Sequence, residues 1–164
     1  MPIALWKRLH ETRTNADESA ARGGARGERH HSGMSEPGED RETGLSGLRV
    51  LIVEDETLVA MLVEEYLAEL GCVVAGSVRR VDKALERIGA GGFDAAVLDQ
   101  NVAGDDVAPV AEALDALRIP FVFASGYGGN GLKEKWADRP VIQKPFTSLE
   151  LKKALLQAVY PNGL

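Results

Sequence analysis

From Leu48 onward, short β-branched apolar runs alternate with stretches of helical periodicity, and this alternation restricts the possible folds more than any other feature. Arg49-Val50-Leu51-Ile52-Val53 reads as a strand buried on both faces. The next segment sets Leu58, Leu62, Tyr66 and Leu70 along one helical face, and Gly71 ends it. Further strands are predicted at 72–75, 94–98, 119–124 and 140–142. Helices are predicted at about 80–90, 107–117, 132–137 and 148–159, the third of these new ones being weak. Asp106 is an expected N-cap for a helix whose Val107, Val110, Leu114 and Leu117 share a face, with Pro109 tolerated in its first turn. Thr147-Ser148-Leu149-Glu150 has the form of a capping box, with Phe146 and Leu151 as its hydrophobic staple.

Five strands alternating with five helices imply an α/β domain with a parallel sheet covered on both faces. At this size the flavodoxin-like order 2-1-3-4-5 is the natural candidate. The preceding segment is different in kind. The first 48 residues hold no Val, Phe or Tyr and are rich in Arg, Glu, Gly and Ser, too little apolar area to offset ordering entropy. Residues 1–46 are therefore expected to be a disordered tail, dispensable for folding, and 47–164 the folded domain. Ile3, Leu5, Trp6 and Leu9 could form a short partner-binding helix, and Met34 is an alternative start that would make 1–33 foreign to the native protein.

Charge and composition exclude several function classes. The net charge is −6, with seven Lys/Arg against eight Asp/Glu in residues 1–46 and the larger acidic excess in the remainder. An acidic domain repels nucleic acid and anionic membrane surfaces, so neither is an expected partner. The longest apolar run is 58–63, far below the ~20 residues of a membrane span, and no export signal precedes the domain. The single Cys72 reads as a buried small hydrophobe in a reducing compartment. The expected location is the cytoplasm.

In a sheet of this type ligands bind beyond the carboxyl ends of the strands. The first strand ends in Glu54-Asp55-Glu56, the third in Asp99 with Asn101 two residues on, the fourth in Ser125, and the fifth runs into Lys144-Pro145. Carboxylates gathered from two strands repel unless a cation neutralises them. Oxygen donors with no Cys or His nearby suit Mg²⁺. An aspartate can be phosphorylated where metal and ammonium absorb the incoming charge. Asp99 is then the acceptor and Asp55 the direct metal ligand, with Glu54 acting through a metal-bound water. Asn101 offers its main-chain carbonyl, Lys144 pairs with phosphoryl oxygens, and the Ser125 hydroxyl donates to one of them.

The runs Val50-Leu51-Ile52-Val53-Glu54-Asp55-Glu56, Asp94-Ala95-Ala96-Val97-Leu98-Asp99, Phe123-Ala124-Ser125-Gly126 and Gln143-Lys144-Pro145-Phe146 resemble response-regulator receiver domains, over residues 48–160. That resemblance implies Mg²⁺-dependent phosphorylation by a histidine kinase and a cis Lys144-Pro145 bond. The stretch Pro120-Phe121-Val122-Phe123-Ala124-Ser125-Gly126-Tyr127-Gly128 is similar to the FATGUY receiver subgroup, often single domains working with kinases of the HWE type. Ser125 stands where Thr is usual, Tyr-Gly replaces Gly-Tyr, and Val141 stands where many receivers carry a switch aromatic.

The implied function is a single-domain switch that is not itself an enzyme. Its output is protein contact, or it drains phosphate from a kinase. An adaptor that binds a partner without phosphorylation is the alternative, opposed by the intact acid–Asp–Ser–Lys set. An aspartyl-phosphate phosphatase would need a D-x-D motif, but Asp55 is followed by Glu56-Thr57. The glycines of 126–131 match a dinucleotide fingerprint formally, yet follow the fourth strand and lack a ribose-binding acid, so they are expected to form a mobile loop.

Overall fold

The computed structural model describes residues 44–126 and 134–163. Five parallel strands form the sheet: β1 (Arg49–Val53), β2 (Val73–Val78), β3 (Ala95–Asp99), β6 (Phe121–Ser125) and β7 (Val141–Gln143), in the order β2-β1-β3-β6-β7. This is the expected 2-1-3-4-5 arrangement. Between β3 and the next helix lies a two-stranded ribbon, β4 (Asn101–Val102) and β5 (Asp105–Asp106), which the sequence reading did not contain. Ala103 and Gly104 join its strands with φ of 56° and 88°, the conformation of a type I′ turn. The Gly104 N–H donates to Asn101 Oδ1 at 2.9 Å, and Val102 is fully buried, so the turn is closed by Asn101 and the ribbon is pinned to the core by Val102.

Helices α1 (Thr57–Glu69) and α4 (Ser148–Val159) pack together on one face of the sheet. Helices α2 (Val81–Ala90) and α3 (Ala108–Ala116) cover the other. Strands β3 and β6 are buried throughout, and apolar up to their last residues Asp99 and Ser125, because helices lie on both sides of them. Strand β2 is an edge, and its Val73 and Val74 are exposed.

Several expectations need correction. The buried face of α1 carries Ala60, Val63 and Leu67, whereas Leu58 is 80% exposed. The run 58–63 is apolar all round, so periodicity could not select the face; small Ala60 faces the sheet instead. Leu117 is likewise exposed, just past the end of α3. The N-cap of α3 falls on Val107, not Asp106, although the Asp106 carboxylate still accepts the Ala108 N–H at 2.9 Å. Of the helix expected at 132–137, the described residues 134–137 form one 3₁₀ turn, Glu134–Trp136. The Thr147–Glu150 capping box is formed in full, and Phe146 and Leu151 are both buried.

Leu45 is fully buried, the Cys72 Sγ donates to its carbonyl at 3.5 Å, and the Tyr160 hydroxyl donates to Gly44 O at 2.9 Å. The core thus reaches back before the expected start of the domain at 47. The expected tail, the partner-binding segment at 3–9 and the glycine loop with Tyr127 lie wholly or mainly outside the described residues. No helix among the described residues is long and apolar enough to cross a membrane.

Candidate functional site

Three strand ends build the site. The β1 backbone continues past Val53 into Glu54, whose N–H still pairs with Val78 O at 3.0 Å, and Asp55 follows at the start of the loop. Asp99 is the last residue of β3, held in register opposite Ala124. Glu54 and Asp99 are buried, at 3% and 8% exposure, and Asp55 is half-buried. One carboxylate oxygen from each of Glu54, Asp55 and Asp99 lies within 4.8 Å of the others.

Lys144 enters from the far side. The peptide bond to Pro145 is cis, and the Lys144 N–H donates to Ser125 O at 2.8 Å, extending the β6–β7 pairing by one step. Its ammonium lies 2.8 Å from Glu54 Oε2, 3.3 Å from Asp99 Oδ2 and 3.6 Å from Glu56 Oε1. Burial would lower the ammonium's pKa, but the Glu54 hydrogen bond and the charges of Asp99 and Glu54 outweigh it and hold Lys144 above its ordinary value. Burial pushes the Glu54 carboxyl up, against the downward pull of the Lys144 bond. One ammonium therefore contacts three carboxylates, and Asp55 adds a fourth to the cluster. The Glu54–Asp55–Asp99 donor set is all oxygen and acidic in excess, which fits a hard divalent cation.

The other predicted residues are close by but engaged differently. The Asn101 N–H donates to Asp99 Oδ1 at 3.3 Å, and the Asn101 side chain closes the ribbon turn. Ser125, the last residue of β6, is buried and donates its hydroxyl to Gln100 Oε1 at 2.7 Å. Three neighbours had no role in the sequence reading. Glu56 pairs with Lys144 and donates its N–H to Glu54 Oε1 at 3.0 Å. Arg79 donates from Nη2 to Asp55 O at 2.7 Å. Gln100 holds Ser125. Glu56 was visible as part of the acidic triplet; nothing local marks Arg79 or Gln100, since their contacts span 24 and 25 residues of chain.

An acid-lined crevice with one lysine, at the carboxyl edge of a parallel 2-1-3-4-5 sheet, defines a class. The chain belongs to the response-regulator receiver domains, which places it in two-component signalling. Within that class it is similar to SdrG from Sphingomonas melonis Fr1: 47% identity, TM-score 0.63, over 69% of this chain and 96% of that one. The BeF3-activated conformation of SdrG, from Pseudomonas melonis Fr1, matches at 49% identity and TM-score 0.59, over 67% of this chain and 95% of that one. Two further structures share the fold. The Erythrobacter litoralis PhyR response regulator REC domain matches at 23% identity and TM-score 0.60, over 71% of this chain and 93% of that one. The receiver domain of the sensor histidine kinase PA1611 from Pseudomonas aeruginosa PAO1, with magnesium in its active-site cleft, matches at 22% identity and TM-score 0.62, over 70% and 98% respectively. No protein-family model and no curated protein matches the chain.

Proposed function

We propose that this receiver domain is a phosphorylation switch in which Asp99 accepts a phosphoryl group from a histidine kinase. The observation that carries this reading is the packing of Glu54, Asp55 and Asp99 oxygens within 4.8 Å, with the Lys144 ammonium 3.3 Å from Asp99. A carboxylate so placed is a nucleophile whose product charge has a partner waiting. An Asp99 oxygen attacks the phosphorus of a phosphohistidine, the P–N bond breaks, and its electron pair returns to the imidazole. Lys144 then trades a carboxylate for a phosphoryl oxygen, and Ser125 supplies a hydroxyl proton to another.

The metal in this reading is Mg²⁺, which Glu54, Asp55, Asp99 and the Asn101 carbonyl would hold, Glu54 by way of a water. When bound it would neutralise charge on the transferring phosphoryl group. The magnesium in the cleft of the PA1611 receiver domain supports the assignment. The kinase partner is of the HWE type, the location is cytoplasmic, and output passes through protein contact or through drainage of phosphate. The BeF3-activated form of SdrG supports a phosphoryl-dependent switch over a phosphate-independent adaptor. The test is incubation with acetyl phosphate and Mg²⁺, read by intact mass. The parent protein gains one phosphoryl group and folded Asp99→Asn gains none; equal labelling of both refutes the assignment.

A further inference from the structure

We infer that the Gln100 side chain is a latch on Ser125: it holds the serine's hydroxyl proton in the unphosphorylated protein and so sets how readily the site accepts a phosphoryl group. The inference rests on the phosphorylation reading above. Ser125 is 1% exposed, and its hydroxyl donates to Gln100 Oε1 at 2.7 Å. A hydroxyl carries one proton, so donating it to a phosphoryl oxygen means surrendering the bond to Gln100. The backbone of Gln100 cannot follow a departing serine. Its N–H is fixed to Ala124 O at 3.2 Å and its carbonyl accepts the Val107 N–H at 3.3 Å. On the Gln100 side the contest is therefore settled by its side chain.

Gln100 Nε2 is buried without a hydrogen-bond partner, so among the described contacts the carboxamide is tied down by the Ser125 bond at its Oε1. Gln100 is a positioning residue; it acts on the phosphoryl site only through Ser125.

The experiment is a titration of the full chain with beryllofluoride in saturating Mg²⁺, read as a dissociation constant. Gln100→Met keeps the side chain's length but removes the acceptor. It should bind about fivefold tighter than the parent, the factor for losing a neutral hydrogen bond of ~1 kcal/mol from the competing state. Ser125→Ala should bind more weakly, and adding Gln100→Met to it should give no further gain. Gln100→Asn, one methylene too short to reach, should repeat the tightening and serves if the Met variant fails to fold. A merely structural role predicts looser binding, not tighter. Unchanged or weaker binding in both Gln100 variants, or the same gain without Ser125, overturns the latch. A parent protein that binds no beryllofluoride overturns both the latch and the phosphorylation reading.

Discussion

Lys144 carries the counter-charge of the whole crevice. Its side chain is 15% exposed and those of Glu54 and Asp99 are 4% and 10%, so little solvent screens the contacts. Replacing it by Met leaves clustered carboxylates with no cation. In protein treated with a chelator we expect Lys144→Met to cost about 2–3 kcal/mol, somewhat under the range for breaking a fully buried pair. Denaturant unfolding measures it, and added Mg²⁺ should recover part of the loss. Cys72 offers a second check at this scale. Burial pushes its thiol up to about 11 from 9.0, so it stays protonated where an exposed thiol would ionise. At pH 9.5 iodoacetamide should label it only on unfolding. The sign for stability follows: the folded state keeps the proton longer, so this contribution is present below about pH 9 and is lost as pH rises through 11. Of the site residues, those standing at strand ends were legible, because a strand's end is marked locally by where the apolar run stops. Gln100 and Arg79 were not, because their partners arrive from distant parts of the chain.

At the level of elements, helix α1 separates pattern from packing. Leu58 and Leu67 are the same residue type on one helix, but Leu67 is fully buried and Leu58 is 80% exposed. Leu67→Ala should cost 2–5 kcal/mol, roughly the range for deleting a buried Leu, and Leu58→Ala should stay within about 0.5 kcal/mol. Equal effects in chemical denaturation would return α1 to the orientation the sequence suggested. Helix α4 behaves the other way, since its start was readable residue by residue. The Thr147 hydroxyl accepts the Glu150 N–H at 3.3 Å, and Glu150 Oε2 accepts the Thr147 N–H at 2.8 Å. Thr147→Ala should lose about 1 kcal/mol. Capping is local chemistry over four residues and is written in sequence; which side of an all-apolar run faces a sheet is not.

For the molecule as a whole, the sharpest question is where the folded unit begins. The sequence placed the border at 46–47, but Leu45 is fully buried and Gly44 O accepts from Tyr160, at the end of α4. We expect a chain starting at Gly44 to unfold like the full-length protein in urea. One starting at Ser46 should be destabilised by roughly 2–5 kcal/mol, the cost of emptying a buried Leu site. Equal stability of the two would restore the original border. Metal linkage also belongs to this scale. Saturation at ~100 times the dissociation constant should add about 2.7 kcal/mol, and Asp55→Ala should remove most of that gain in thermal melts.

By itself the sequence determined the alternation of strands and helices, the burial of the central strands and the identity of the acids, serine and lysine at their carboxyl ends. These follow from nearest-neighbour chemistry: apolar period, caps, and the points where hydrophobic runs stop. The tertiary structure decided the rest. It set the Lys144 ammonium between Glu54, Asp99 and Glu56, turned α1 onto Ala60, Val63 and Leu67, and drew Leu45 into the core. It also gave the Ser125 hydroxyl to Gln100. Each of these is a contact between segments far apart in the chain, or a choice among faces of equal hydrophobicity. Such choices are made by packing and by charge at short range, once the strands have aligned, and no local pattern records them.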